Sequence, residues 1–152
     1  MLVATSIAAL ALAGAAGATI VPQSGMAGVQ LGMTKAQVKG VLGKPSRIVH
    51  GTNDFGSYTE FGYPYRLVVT FQGNANVSGI ATTGVHERTA NGAGVGSTEG
   101  RLRIRVPHLT CESVTSSFRH CFLGQFIAGH RVTDFRIGRG KVTRVTIGFV
   151  ID

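Results

Sequence analysis

Two matching stretches decide the fold: residues 28–38 read GVQLGMTKAQV, and residues 92–102 read GAGVGSTEGRL. At an offset of 64 positions (92 minus 28), three residue pairs are identical: Gly28 and Gly92, Gly32 and Gly96, Thr34 and Thr98. A match that keeps its register indicates an internal repeat, in which each copy forms one supersecondary unit. We therefore expect two units, residues 19–88 and residues 89–152, after an N-terminal segment of residues 1–18.

Each unit is predicted to begin with a short helix. Thr34 is a favourable N-cap, and Gln37 stands where the partner residue of a capping box is expected. In the second unit the signals conflict, because residues 101–106 alternate between basic and apolar side chains, which favours a strand. The repeat favours a helix with Thr98 as its N-cap, and we adopt the helix.

Three extended segments follow each predicted helix: residues 57–63, 66–72 and 77–82, then residues 120–127, 132–137 and 141–150. Three antiparallel strands need a helix to cover one face. The sequence thus predicts an α+β fold of two tandem α-β-β-β repeats, each a short helix packed on a three-stranded antiparallel sheet. Alternation places one apolar set on the helix side: Leu67, Val69, Phe71, Phe135, Ile137, Val145, Ile147 and Phe149. The opposite side carries the basic residues Arg66, Arg136 and Arg144.

The N-terminal segment indicates export. Residues 1–18 are uncharged, rich in apolar side chains, and end in Ala16-Gly17-Ala18. An apolar run that ends in this small-x-small pattern is typical of a secretory signal peptide. An uncleaved membrane anchor and a buried helix are the alternatives, since the apolar stretch through residue 21 is long enough to span a bilayer. We expect a secreted or cell-envelope protein, attached to a membrane only if the segment is not cleaved.

Cys111 and Cys121 are the only cysteines of the chain. An exported protein meets an oxidising compartment, in which such a pair is expected to form a disulfide. The alternative is a pair of free thiols in the core. We expect a Cys111–Cys121 disulfide.

The run LGMTKAQV at residues 31–38, followed by LGKP at residues 42–45, resembles two known families. These are the small outer-membrane lipoproteins of the barrel-assembly machinery and the β-lactamase inhibitor proteins of soil actinomycetes. The resemblance implies a helix followed by three strands, in tandem in the inhibitors, which bind their target on a concave sheet face rich in aromatic residues. Here there is no Trp, and the predicted face carries arginines instead. Residues 94–99 and 142–150 are also similar to exported actinobacterial proteins of unknown function.

Composition argues against catalysis. Among 152 residues there are 15 Lys and Arg against 7 Asp and Glu, a formal net charge of +8. The five histidines lack metal-ligand spacing, and no two carboxylates share an obvious site. We therefore expect no enzyme activity, no cofactor and no metal site, with the histidines on the surface or in loops. Nucleic acid is not the expected partner, because the arginines form no cluster interleaved with aromatic residues.

The expected function is that of a non-catalytic binding module whose exposed sheet face meets a protein or an anionic envelope component. Candidate contacts are Arg66, Arg136 and Arg144, with Tyr58 and Phe61 from an aromatic segment. The aromatic residues could instead fill the core, and the positive charge could simply form a solvated surface. The alternative function is that of a membrane-anchored structural or assembly protein of the envelope.

Overall fold

The computed structural model describes residues 19–151, so the predicted signal segment lies outside the described residues. The helices are α1 (Lys35–Leu42) and α2 (Glu99–Arg105), and a 3-10 turn spans Pro64–Arg66. The strands are β1 (Ile20–Val21), β2 (Gly25–Met26), β3 (Val29–Gln30), β4 (Arg47–Asn53), β5 (Gly56–Tyr63), β6 (Leu67–Gln72), β7 (Gly79–Thr82), β8 (Thr110–Ser113), β9 (Arg119–Leu123), β10 (Arg131–Gly138) and β11 (Lys141–Phe149). Within residues 19–151, no helix is long and apolar enough to cross a membrane.

Helix α1 begins with the capping box that the sequence predicts. The Thr34 hydroxyl accepts a hydrogen bond from the Gln37 backbone N–H at 3.2 Å, and Gln37 Oε1 accepts one from the Thr34 backbone N–H at 2.8 Å. The helix ends at Gly43, whose φ of 80° is open to glycine at little steric cost. Within this helix, the Val38 side chain is fully buried.

Residues 101–106 were predicted as a strand by alternation and as a helix by the repeat, and the structure forms helix α2 there. The Thr98 hydroxyl accepts a hydrogen bond from the Arg101 backbone N–H at 3.3 Å. Leu102 and Val106, four positions apart, are 0% and 3% exposed, whereas Ile104 between them is 86% exposed. Burial therefore follows the helical spacing and not the local alternation.

Eight strands form one antiparallel sheet in the order β4-β5-β6-β7-β11-β10-β9-β8. The prediction of two tandem α-β-β-β repeats is therefore wrong, because each half contributes four strands and both halves share one sheet. Strands β7 and β11 join the halves through four residue pairs, from Thr82 with Val145 to Gly79 with Gly148. An unpaired strand edge leaves backbone N–H and C=O groups without partners, so this pairing removes two such edges.

The strands that the sequence analysis missed have little apolar alternation. Strands β4 and β8 are the two edges of the large sheet, and most of their side chains are exposed or half-buried. A small second sheet is formed by β1, β2 and β3, each only two residues long. Such segments lack the period of two on which strand prediction depends.

The matched stretches form similar helix starts within this single sheet. Gly32, with φ of 88°, donates its backbone N–H to the Val77 carbonyl at 2.9 Å. Gly96, with φ of 90°, donates to the Val142 carbonyl at 2.8 Å. The sequence match thus reports a shared local structure and not two separate sheets. The boundary between residues 88 and 89 stays a prediction.

Both helices cover the same side of the large sheet, called here the inner face. Seven of the eight apolar residues assigned to the helix side are buried, and Phe149 is partly buried. That part of the prediction is confirmed. The opposite side, called the outer face, carries the polar side chains of the alternating strands.

Candidate functional site

The outer face is organised in rows of paired residues. One row crosses all eight strands, in the order Arg47, Gly62, Val68, Ala81, Thr146, Asp134, Phe122 and Thr110. A second row crosses β11, β10, β9 and β8 with Arg144, Arg136, His120 and Glu112. Directly paired residues have Cβ atoms about 5 Å apart, so the register makes Arg144 and Arg136 neighbours.

A cleft of about 420 Å³ opens on this face. Its basic lining consists of Arg47 from β4, Arg66 from the turn after β5, and Arg144 from β11, and we call it the arginine cleft. The other lining residues are Ser46, Gly62, Tyr63, Leu67, Val68, Ala81, Thr82 and Thr83. Within residues 19–151, none of the three guanidinium groups forms an ion pair, and no carboxylate lines the cleft.

The floor of the arginine cleft is made of small side chains. Gly62 is the cross-strand partner of Arg47, and a Cβ atom at Gly62 would lie 3.4 Å from Arg47 Cβ and 3.8 Å from Arg47 Nε. The Arg47 side chain therefore lies across the bare surface of Gly62. Val68 and Ala81 continue the row on the next two strands. A floor without polar side chains strengthens the attraction between the guanidinium groups and an anion, because the local dielectric is lower than in water.

The turn that carries Arg66 has a strained backbone. Tyr65 and Arg66 have φ of 60° and 63°, in the left-handed region that costs a residue other than glycine about 1 kcal/mol or more. The Tyr65 ring packs against the His86 ring at a tilt of 43°, with ring centroids 3.7 Å apart. Gly84 lies against the Tyr65 carbonyl so closely that a Cβ atom would collide with it. These two contacts hold the turn in the conformation that brings Arg66 to the cleft.

In the second row Arg144 is followed by Arg136 on β10, and Asp134 of the first row lies two residues before Arg136 on the same strand. The Arg136 guanidinium lies over the Phe118 ring at 5.3 Å, a cation–π contact. Burial raises the pKa of the Asp134 carboxyl, while its hydrogen bond with His120 and the charges of Arg136 and Arg144 oppose that rise. Arg136 and Arg144 thus favour the charged form of Asp134 but do not overcome the effect of burial.

His120 connects three strands at this end of the sheet. Its Nδ1 lies 2.5 Å from Asp134 Oδ1 on β10, and its Nε2 lies 3.4 Å from Glu112 Oε1 on β8. Three rings surround it, with centroid separations of 5.0 to 5.6 Å: Phe118, Phe122 and Phe126. His120 is only 5% exposed, so the expectation of surface or loop histidines is wrong for this residue. A network in which both ring nitrogens have partners orders this end of the sheet.

Of the residues predicted to bind a partner, Arg66, Arg136, Arg144 and Tyr58 lie at the outer face, and Phe61 lies in the core. Arg66 and Arg144 line the arginine cleft, and Arg136 stands beside Arg144. Tyr58 is half-buried on the outer face of β5. Phe61 is 3% exposed and packs edge-on against Phe71 in the core, with ring centroids 4.8 Å apart.

Sequence reasoning missed Arg47 and the acidic partners of His120. Arg47 belongs to edge strand β4, which was not predicted. Glu112 pairs with His120 across β8 and β9, and Asp134 reaches it from β10, so only the sheet register brings the three together. For Arg47, a signal was present in the sequence: Gly62 stands inside an otherwise regular strand, and a glycine there often marks the close approach of another group.

The predicted disulfide is confirmed. Cys111 and Cys121 are direct cross-strand partners on β8 and β9, and their sulfur atoms are bonded. Glu99 lies close enough for the three residues to resemble a metal-binding group, but a disulfide sulfur is not the thiolate that binds metals. Glu99 is instead engaged by Arg119 and Arg103, at 2.6 Å and 3.0 Å. The disulfide is consistent with export.

Comparison with known proteins gives a likeness in fold only. No protein-family model and no curated protein sequence matches the chain. An extracellular protein containing a SCP domain from Bacillus anthracis is similar in structure, with a TM-score of 0.50 and 10% sequence identity over 78% of this chain. A cysteine-rich secretory protein from Staphylococcus aureus gives a TM-score of 0.47 and 12% identity, also over 78% of this chain. The chain spans only 44% and 43% of those two proteins.

This likeness corrects the resemblance drawn from residues 31–38 and 42–45. The expected relation to β-lactamase inhibitor proteins, barrel-assembly lipoproteins and exported actinobacterial proteins of unknown function is wrong, since the fold found to be similar is that of an extracellular protein containing a SCP domain. The motif describes a capped helix that follows a tight glycine turn. Such a helix start can occur in unrelated folds, which is why it misled the comparison.

Proposed function

We propose that this protein is an exported, non-catalytic binding module that holds an anionic component of the cell envelope against the outer face of its sheet. The observation that carries the proposal is the arginine cleft, which Arg47, Arg66 and Arg144 line together without a carboxylate among the lining residues. Like charges that converge repel one another in the free protein. A bound anion relieves that repulsion, so the arrangement favours an acidic ligand.

Three further observations support export and contact with an anionic surface. The Cys111–Cys121 disulfide suits an oxidising compartment. The structurally similar protein of Bacillus anthracis is described as extracellular. The formal net charge of +8 gives the whole chain a long-range attraction for polyanions.

Binding is preferred to catalysis because of the way in which the acid–histidine cluster around His120 on the outer face is built. His120 is buried, and both of its ring nitrogens face carboxylates, those of Asp134 and Glu112. A general base needs a ring nitrogen within reach of a substrate proton. The cluster therefore supports the sheet and leaves the basic side chains as the contact groups.

Capture from isolated envelopes tests this proposal. Immobilised protein is incubated with envelope fragments from its source organism, and retained material is quantified for wild type and for Arg47→Ala/Arg144→Ala. The matched control is Arg101→Ala/Arg103→Ala, which removes the same charge from helix α2 on the inner side. We expect capture to fall at least tenfold in the cleft variant and to stay near wild type in the control.

Three outcomes would count against the proposal. Equal capture by the cleft variant and the wild type would exclude the outer face as the contact surface. Loss of capture after protease treatment of the envelopes would identify a protein partner in place of an envelope polymer. Recovery of the protein in washed membranes, and not in the medium or wall fraction, would favour the membrane-anchored alternative.

A further inference from the structure

Resting on the proposed function, we propose that the arginine cleft is a binding site for the phosphate group of an organic phosphate. The phosphate would belong to a phosphodiester polymer of the envelope or to a phospholipid headgroup. The three guanidinium groups of Arg47, Arg66 and Arg144 are the ligand-binding groups, and the row of Gly62, Val68 and Ala81 is the floor on which the ligand rests.

The number and origin of the guanidinium groups favour phosphate over carboxylate. The two oxygens of a carboxylate lie in one plane, and a single arginine satisfies them in a bidentate pair. A phosphate group is tetrahedral and presents oxygens in several directions. Three arginines from separate elements (an edge strand, a turn and a central strand) can each meet a different oxygen.

The size of the cleft indicates that the phosphate carries an organic substituent. Its volume of about 420 Å³ falls within the range of about 300 to 1,000 Å³ that is usual for small-molecule sites. An inorganic phosphate ion would fill only a small part of that space. The apolar surface of Val68 and Ala81 offers a contact for the non-ionic part of the ligand.

The fold uses other arginines for its own stability but leaves these three without a structural partner among the described residues. Arg103 and Arg119 pair with Glu99, and Arg136 stacks on an aromatic ring. Arg47, Arg66 and Arg144 form no ion pair within residues 19–151.

The backbone at Arg66 supplies a second, independent observation. Two successive residues other than glycine, Tyr65 and Arg66, adopt left-handed φ, and such strain persists only where surrounding contacts impose it. The tilted Tyr65–His86 ring contact and the close packing of Gly84 impose it here. The chain thus fixes the backbone at Arg66 before a ligand arrives, which lowers the entropy cost of binding.

Calorimetric titration of the purified protein with glycerol 3-phosphate and with poly(glycerol phosphate) tests the site, and poly-glutamate serves as the carboxylate control. Each of Arg47→Gln, Arg66→Gln and Arg144→Gln should weaken phosphate binding by about 10- to 100-fold, the loss expected for a charge-assisted hydrogen bond. Arg101→Gln, an equal loss of charge on helix α2, should stay within about twofold of wild type.

A charge-neutral variant separates the site from general electrostatic attraction. In Gly62→Val the new Cβ meets Arg47 Cβ at an ordinary 3.4 Å, so the strand keeps its structure while the floor of the cleft is filled. We expect this variant to lose phosphate binding at least tenfold with an unchanged melting temperature. Undiminished binding by Gly62→Val, or equal affinity for poly-glutamate and poly(glycerol phosphate), would overturn the phosphate site.

Vesicles distinguish the two sources of the phosphate. Binding to phosphatidylglycerol vesicles but not to poly(glycerol phosphate) would identify the lipid headgroup as the ligand. Binding to poly(glycerol phosphate) but not to the vesicles would identify the polymer. Binding to neither would refute the phosphate site. If envelope capture still depends on Arg47 and Arg144 while no phosphate compound binds, the phosphate assignment fails and the proposed function stands. If capture is also independent of these residues, both fail.

Discussion

Glu99→Gln should weaken the attachment of helix α2 to the sheet by an amount that depends on pH. Glu99 lies in the first turn of α2 and accepts two hydrogen bonds from the Arg119 guanidinium on β9, at 2.6 Å and 2.8 Å. Arg103, one turn along the helix, donates two further bonds, at 3.0 Å and 3.2 Å. The bonds from Arg119 and, to a lesser degree, from Arg103 lower the pKa of Glu99 from 4.5 to about 2, against the opposing effect of burial.

The size of the effect follows from that difference in pKa. The full difference in the pKa of Glu99 corresponds to about 3 kcal/mol of unfolding free energy, at ~1.4 kcal/mol per pH unit. The Glu99 side chain is 21% exposed and that of Arg119 is 37% exposed, so solvent screens much of the interaction. Exposed ion pairs contribute about 0 to 1 kcal/mol, and this bidentate pair lies between the two limits. We expect the variant to lose about 1 to 2 kcal/mol of unfolding free energy at neutral pH.

The sign of the pH dependence is fixed by the lowered pKa. Because the folded-state pKa lies below the unfolded value, the stabilisation is fully present above pH 4.5 and is lost as the pH falls toward 2. Urea unfolding of wild type and Glu99→Gln at neutral pH, near pH 4 and near pH 2 should therefore give a difference that shrinks toward zero. Asp54→Asn, in the exposed turn between β4 and β5, is the matched control and should show almost no difference. A Glu99→Gln difference that stays constant with pH would refute the reasoning.

Three further predictions concern the disulfide, the core and the outer face. Reduction of Cys111–Cys121 should lower the unfolding free energy by about 2 to 3 kcal/mol, measured by urea unfolding with and without reductant, because the short closed loop gains freedom in the unfolded chain. Phe71→Ala, at a fully buried position, should cost about 3 to 5 kcal/mol in the same assay. Arg144→Ala should raise the pKa of Asp134 further, since a nearby positive charge is removed; side-chain carboxyl NMR measures the change.

Each of these predictions has its own control. Phe126→Ala, at a side chain that is half exposed, should cost far less than Phe71→Ala, and equal costs would contradict the assigned core. A Cys111→Ala/Cys121→Ala variant should be as unstable as the reduced protein, and identical stability of reduced and oxidised wild type would exclude a structural role for the bond. An unchanged pKa of Asp134 in Arg144→Ala would show that the two groups do not interact, and a lowered pKa would contradict the sign of the predicted effect.

Local signals in the sequence predicted the local elements of the fold. The capping residue Thr34 identified helix α1, and alternation identified the apolar side of β6, β10 and β11. Helix α2 was identified only through the repeat, which placed Thr98 as its N-cap against a local alternation that favoured a strand. These signals succeed because caps and amphipathic periods depend on residues close in sequence. The arrangement of strands depends on pairings between distant residues, such as Ile80 with Ile147, which no local pattern encodes. The single eight-stranded sheet therefore could not be derived from residue spacing.

The candidate site was predictable only in part, for the same reason. Alternation correctly placed Arg136 and Arg144 on the polar side of β10 and β11, where they pair across the strands. The position of Arg66 depends on a left-handed turn, and that of Arg47 on an edge strand without apolar alternation. Phe61 could not be assigned to the core before the register of β5 was known.

The most direct test of the account follows the arginine side chains of the protein by NMR during titration with poly(glycerol phosphate). The Nε–Hε resonances of Arg47, Arg66 and Arg144 should shift together and saturate at one ligand site per cleft. Those of Arg101 and Arg103, on helix α2, should stay unchanged. Shifts spread over all arginines, or confined to helix α2, would contradict a specific anion site on the outer face.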